Sequence, residues 1–438
     1  MNHKNKKSVA ASLATATCAL LGTSATTPVN AQEEHEWDFN TALLYYGESD
    51  DRVSDISLNI LAKKNFVDDR FLTLGLAVDS LTGATPLGAM PFDGPQTFTT
   101  PSGLQTHTRP AGEIPLDDTF LDTRYALSAN WQQPLGRLNV VNFGLSASSE
   151  YDYFHAGANV KLSRDFNNRN TTASIGLAIA RDDIDPVGGA PDPLSSMLDV
   201  GDLSNRSGDK SKDVFDVVLG VTQVVNRNLV VQANYSYSDS SGYLNDPYKI
   251  VSIVDPVTGV PIVHVPAIGA TGPSHEHVFE SRPGDRTKHS IYTQAKYYMD
   301  GKVLDASYRY MTDDWDIDSH TLELHYRWPF GNGKYLEPHF RYYSQSEAEF
   351  YRASLADGAL LPSYASADYR LGDFDAITAG IKYGWKTASG SEWSARLEFY
   401  TADGNVPGNL LIGSNQSARE IYPDLDAIIA QISYRFGK

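Results

Sequence analysis

The chain has 438 residues, with 36 Lys and Arg against 54 Asp and Glu, a formal net charge of −18 and a mean hydropathy of −0.34. So acidic a chain argues against nucleic acid as a partner, because binding there draws on positive surface. Its one cysteine, Cys18, lies near the N-terminus, so the rest of the chain has no disulfide scaffold, thiol chemistry or cysteine-based zinc site. After residue 31 no run of about eighteen apolar residues occurs, which excludes a transmembrane helix there.

The N-terminus reads as a secretory signal. Lys4, Lys6 and Lys7 form a charged region, Ser8 to Ala25 an apolar, small-residue stretch, and Val29-Asn30-Ala31 a cleavage site before Gln32. Thr17 stands where a lipoprotein signal needs Gly or Ala before Cys18. The expected organisation is a cleaved signal peptide over 1–31 and one β-domain over 32–438.

From residue 37 to 437 the period-two hydrophobicity marks sixteen strands of roughly ten to fourteen residues, with fourteen or eighteen as alternatives. The connections sort by length. Those after even strands are tight: Val67–Arg70, Pro134–Arg137, Asn167–Asn170, Asn226–Asn228, Asp300–Lys302, Gly331–Lys334 and Ser389–Ser391. Those after odd strands vary, the longest being Leu81–Thr119, Asp182–Lys212 and Leu244–Arg286. A sandwich or propeller has no reason to sort loops this way. A transmembrane antiparallel up-and-down β-barrel does, with short periplasmic turns and long extracellular loops.

Alternation assigns the faces. Leu72, Leu74, Leu76 and Val78 oppose Thr73, Gly75 and Ala77, and Phe154, Ala156, Ala158, Val160 and Leu162 oppose His155, Asn159 and Lys161. The same holds for Phe215–Thr222, Leu322–Trp328 and Trp393–Tyr400. Aromatics crowd strand ends at Trp37, Phe39, Tyr235, Tyr237, Tyr308, Tyr310, Trp385 and Tyr434, as interfacial girdles would. Two apolar runs in the third long loop, Lys249–Val254 and Val260–Val265, are too short to span and predict a small hairpin above the membrane. Pro338 removes one ladder hydrogen bond and predicts a local bulge.

Several strings resemble an uncharacterised family of bacterial outer-membrane β-barrels, catalogued as domain of unknown function number 3570. They are DSLTGATP (Asp79–Pro86), QTFTTPSG (Gln96–Gly103), DDTFLDTRYALS (Asp117–Ser128), SSEYDY (Ser148–Tyr153) and SRDFNNRNTT (Ser163–Thr172). PVGGAP (Pro186–Pro191), GYLNDPYK (Gly242–Lys249), ESRPGDR (Glu280–Arg286) and YLEPHFRYYSQSEAEFY (Tyr335–Tyr351) complete the set. The resemblance implies a barrel in the outer membrane with no assigned activity. Such barrels commonly end on an aromatic residue read by the assembly machinery; here Phe436 is followed by Gly437 and Lys438.

The sequence does not assemble an enzyme. Outer-membrane phospholipases need a Ser/His/Asn set on the lipid-facing wall, and no histidine–serine pair falls there. His320 beside Asp318, Asp313, Asp314 and Asp316 could in principle mimic a protease rim, but a tight acidic hairpin solvated by water is the reading that position alone favours. Asp314-x-Asp316-x-Asp318 begins like a calcium loop, yet Ser319 replaces its glycine and His325 its terminal Glu. His275-Glu276-His277 suits a surface metal site but has no evident third ligand. PVGGAP and GNGK are turn glycines without a P-loop pattern. No catalytic, cofactor-binding or metal-ligating residue is assigned.

What remains is the barrel interior. Predicted inward residues are Lys161, Lys296, Arg309, Glu323, Arg327, Glu337, Arg341, Arg396 and Glu398, which are the lumen-lining candidates. Lys63, Asp79, Arg124, Glu150, Asp216, Asp305 and Arg435, with His155, His325 and His339, share their face. Arg309, Glu323, Arg327, Glu337 and Arg341 are expected at comparable depth. They form either a salt-bridge ladder or a solute-selecting constriction. The expected function is a porin-like channel or facilitator for a small solute, with Leu81–Thr119 folding inward. The alternative is a surface-binding or assembly barrel with a plugged lumen. Expected partners are outer-membrane lipid and lipopolysaccharide, the barrel assembly machinery and a small solute; acid clusters at strand ends could bridge anionic lipids through divalent ions.

Overall fold

A computed structural model describes residues 37–50, 52–66, 68–405 and 421–437. The expected signal peptide and its cleavage site lie outside these residues. Sixteen antiparallel strands close into one barrel. They are β1 (Trp37–Glu48), β2 (Ser54–Phe66), β3 (Arg70–Pro86), β4 (Leu116–Leu135), β5 (Asn139–Ser149), β6 (Tyr153–Phe166), β7 (Thr171–Ile184) and β8 (Lys210–Asn226). Next come β9 (Leu229–Gly242), β10 (Asp285–Met299), β11 (Lys302–Asp313), β12 (Asp318–Gly331), β13 (Lys334–Gln345), β14 (Phe374–Lys386), β15 (Glu392–Gly404) and β16 (Leu425–Gly437). β1 closes on β16, with Asp38 opposite Gly437 and Glu48 opposite Ala427. Among the described residues, the tight turns fall where the sequence puts them. At Asp300-Gly301 the backbone takes φ of 48° and 86°, the left-handed pair that a two-residue hairpin loop requires and that Asp-Gly supplies readily.

The faces follow the alternation. Leu43, Leu74, Leu145, Ile179, Leu219, Phe399 and Ile432 all stand exposed on the outside. So wide an apolar band around a closed barrel is tolerable only in lipid, where a barrel leaves no backbone edge unpaired. The protein therefore sits in the outer membrane. Aromatics bracket the band. At the periplasmic end Trp37, Phe39, Phe436, Tyr434, Trp393 and Trp385 stack in sequence with centroids 4.4–6.4 Å apart. Tyr235 and Tyr237 gather round His289 at the other end, as Tyr308 and Tyr310 do round His320.

Pro338 makes no bulge. Its pairing with Ile381 on β14 is regular, and the β12–β13 register is the same on both sides of it. The missing N–H costs only ladder pairing toward Tyr326 and Arg327; the irregularity in that hairpin lies at Pro329/Gly331, beside the turn. Some strands outrun the expected lengths: β4 has 20 residues and β3 and β8 have 17 each, so the loop read as Leu81–Thr119 begins only after Pro86.

Four long loops do not splay but fold together over the outer mouth. They follow β3 (87–115), β7 (185–209), β9 (243–284) and β13 (346–373). Val254 faces Pro261 and Ile262 N–H donates to Ile253, so the expected hairpin is present. It is part of more. Ile250–Val254 also pairs with His277–Phe279 and, in parallel, with Ser354–Ala356. Phe98, Met197, Ile250 and Phe279 make one buried core, and Val251, Val278, Leu355 and Ala365 another. Each such burial contributes about 1.5–3 kcal/mol for a large side chain. At Gly188 and Gly189, with φ of 87° and 83°, a Cβ would lie 2.4 Å from Ser102 O and 2.5 Å from Ser207 O, so PVGGAP carries a close backbone crossing that only glycine allows.

Candidate functional site

The loops meet from all round the ring, which makes them a cap. Tyr369, half-buried on the 346–373 loop, has its ring 5.7 Å from the Arg52 guanidinium at the β1–β2 turn. Tyr248 donates its hydroxyl to Asp152 at the β5–β6 turn, and Trp315 of the β11–β12 turn packs edge-on against Phe350 at 5.1 Å. The inward-folding loop expected over Leu81–Thr119 is thus one of four that share the closure.

At the centre of the cap is an ion network that the sequence did not single out. Arg282 Nη2 lies 2.8 Å from Asp368, Arg370 Nη2 2.7 Å from Asp246, and Arg282 Nε 2.6 Å from Glu280. Lys249 donates to the Pro86 carbonyl, and Ser366 to Glu280. Burial would raise the Asp368 carboxyl, but Arg370, Lys249 and Arg282 hold it well below the usual carboxylate range. At Glu280 burial outweighs the neighbouring Arg282 and the carboxyl moves up. Two of the family-like strings, GYLNDPYK and ESRPGDR, supply Asp246, Lys249, Glu280 and Arg282, so a signal was present without its meaning.

The His275-Glu276-His277 triplet belongs to this cap and not to the surface. His275 packs against Phe92 and His277 against Phe98, both imidazoles being buried, while Glu276 pairs with His264 at 2.9 Å. Burial among apolar neighbours drives the His277 ring down to about 3. An exposed two-histidine metal site is excluded here because both rings serve as core. His320 likewise enters no acid dyad: its Nδ1 lies 2.7 Å from the Tyr308 hydroxyl on the outer wall.

Beneath the cap, every predicted inward residue occupies the face opposite the aliphatic band. One register row crosses six strands: Lys296, Asp305, His325, His339, Gly380 and Glu398 are successive partners from β10 to β15. Lys296 Nζ stands 3.2 Å from Asp305 and His339 Nδ1 2.8 Å from Glu398. Glu398 reaches across a whole strand because Gly380 is bare; a Cβ there would lie 2.4 Å from Glu398 Cγ. Toward the periplasm, Arg327 lies 3.6 Å from Glu337, 3.7 Å from Glu392 and 3.6 Å over the Tyr335 ring. Arg396 bonds Gln431 at 2.6 Å. Toward the cap, Glu323 faces Arg341, and Arg309 sits over Tyr292 at 5.5 Å.

The five residues expected at comparable depth do not share one register row. Arg309 pairs with Thr321, one row outside Glu323 and Arg341, whereas Arg327 and Glu337 lie on the periplasmic side of the histidines. The first half of the barrel holds its own buried set near the cap: His155 Nδ1 and Lys212 Nζ lie 2.7 and 2.8 Å from Asp182, and Arg124 donates to Asp79 at 2.7 Å. Lys161, opposite Asn142 and Gly176, is half-buried lower down.

The family model described as Protein of unknown function (DUF3570) matches residues 10–436. No curated protein matches the chain. Solved structures similar to it include CdiB from Acinetobacter baumannii, at 10% identity and a TM-score of 0.42, covering 92% of this chain and 61% of that one. This chain thus spans less than two thirds of CdiB. A bacterial polysaccharide outer membrane secretin is similar at 10% identity and TM-score 0.42, with 92% and 100% covered. A TodX mutant monoaromatic hydrocarbon channel follows at 10% and 0.40, with 93% and 91% covered.

Proposed function

From the premise that this chain belongs to the family described as Protein of unknown function (DUF3570), whose description offers no activity to carry over, we propose a gated conduit for a small charged solute. One observation carries the reading. Below the cap the inward side chains are polar and stand in open space: Arg327 and Lys296 keep 40% and 41% of their side-chain surface, and even the inward Leu61 keeps 47%. A barrel that served only as a scaffold would gain by filling this volume with packed side chains. Sixteen strands leave room for an aqueous channel, and among the described residues only tight turns ring the periplasmic mouth. The cap is then the gate, and lumenal charge selects the solute.

The interlocked cap also favours a second reading, a plugged barrel whose outer surface binds a partner. Single-channel recording in planar bilayers separates the two. The conduit gives discrete openings that become longer or larger when 87–115 is deleted. A folded barrel that stays silent with and without that loop would leave the plugged reading. In either case the rim carboxylates Asp213 and Asp239 would face lipopolysaccharide headgroups, and Phe436 would present the aromatic signal for assembly.

A further inference from the structure

We propose that the barrel interior binds one divalent first-row transition-metal ion, such as zinc, through Glu323, His325 and His339. This stands whether or not the lumen conducts. Glu323 Oε1 lies 3.0 Å from His325 Nε2 and 3.3 Å from His339 Nε2, and the three ligand atoms are all within 4.8 Å of one another. Tetrahedral zinc at about 2.0–2.1 Å from each ligand needs them about 3.4 Å apart, so the Glu323–His325 pair opens by about 0.4 Å and the widest pair closes by up to about 1.4 Å. The two imidazoles are directly opposed register partners on β12 and β13, with stacked rings 4.2 Å apart and 3° from parallel. Ligation of one ion tilts both rings toward Glu323, which the broad χ2 well of histidine permits.

Three features point to a ligand rather than to a cross-strand ion pair alone. His339 is nine-tenths buried, and its Nε2, 3.3 Å from Glu323 Oε1, makes no hydrogen bond of good geometry there. The His339 ring also presents its other nitrogen to a separate carboxylate, Nδ1 to Glu398 at 2.8 Å, while Glu337 stands 3.9 Å from His325 Nδ1, beyond hydrogen-bond reach. Glu398 is thus the outer carboxylate which fixes the tautomer and aim of a metal-bound histidine. The third is Gly380, whose missing side chain lets Glu398 reach over β14 to hold His339. Two imidazoles and one carboxylate suit zinc, nickel, cobalt or iron and not calcium or magnesium, which take oxygen ligands. Glu323 and His325 keep 37% and 33% of their side-chain surface, so remaining coordination positions open onto lumen water.

The test uses the untagged mature chain folded in detergent. Titration with Zn²⁺ should give one ion per barrel, and Co²⁺ should show two imidazole ligands in its paramagnetically shifted proton spectrum. Glu398→Gln, a positioning change, should weaken Zn²⁺ by about 10–100-fold, and His325→Ala or His339→Ala by more. His264→Ala in the cap should change nothing. Absence of stoichiometric uptake, a cobalt spectrum without imidazole shifts, or equal losses in the cap and lumen variants would overturn the site. The wild-type cobalt spectrum decides even if a variant fails to fold.

Discussion

The protein carries two arginine–carboxylate networks of similar chemistry in opposite surroundings. In the cap, Glu280 and Asp368 keep 1% of their side-chain surface and Arg282 keeps 11%. In the lumen, Arg327, Glu337 and Glu392 keep 40%, 18% and 23%. Charges removed from water must be fully paired, because an uncompensated partner is left at several kcal/mol of desolvation. Charges beside water are screened, and their pairing adds about 0–1 kcal/mol. The cap network is thus committed to structure. The lumenal one stays within reach of water and is held only loosely.

The largest test of that contrast is Asp368→Asn. It removes the carboxylate that Arg282 and Arg370 share, leaving them only Glu280 and Asp246 in a buried network, and should destabilise the cap by up to about 3–5 kcal/mol. Hydrogen exchange of 250–254 and 354–356 should rise accordingly, while the barrel keeps its heat-modifiable migration. Unchanged exchange would mean that the cap is as loose as the lumen.

Gly380→Ala probes the lumenal row. Its Cβ would meet Leu397 O and Glu398 Cγ, each at 2.4 Å, so backbone as well as side chain must move. A loss of about 1–3 kcal/mol is expected, read from the thermal shift of the barrel. Gly380→Ser should lose at least as much; a neutral outcome for both would show that the row has slack.

Acid should open the cap before the barrel. His277 is held neutral by burial down to about 3, against about 6.5 when exposed, so its contribution is complete above pH 6.5. Below that the open state takes up the proton, and stability falls by about 1.4 kcal/mol per pH unit until about pH 3. His264 works the other way: burial lowers it, but Glu276 and Asp199 together outweigh this and raise it, so its pairing strengthens the cap in acid. The larger shift at His277 wins. Cys18 is the one cysteine of the chain, so in a Cys18→Ser background a thiol placed at the buried Ala365 and probed with 4,4′-dithiodipyridine reports opening. Its labelling should rise about tenfold per unit below pH 6.5, and His277→Gln should flatten that slope.

Strand count, faces and turns were legible because a membrane barrel imposes a strict period of two and sorts its loops by length. The cap was not. Its pairs join residues such as Arg282 and Asp368 that are distant in sequence and lie in irregular segments, where no periodicity marks a partner. His275 and His277 misled for the same reason: spacing along a strand places two rings on one side but does not say whether that side meets water or Phe98. The lumenal residues were found by face alone. Their grouping depended on register and on Gly380, a glycine whose role appears only when Glu398 is seen lying over it.

The smallest stability effect should bring the clearest functional one. Arg327→Ala removes a side chain that touches Glu337, Glu392 and the Tyr335 ring, all with access to lumen water. Stability should therefore fall by less than about 1 kcal/mol. If solute passes this row, loss of the positive charge should raise cation-over-anion preference, read as a shift of reversal potential in a salt gradient. A large loss of stability with unchanged selectivity would instead place Arg327 in the same class as Arg282, and the contrast between cap and lumen would fail at its own centre.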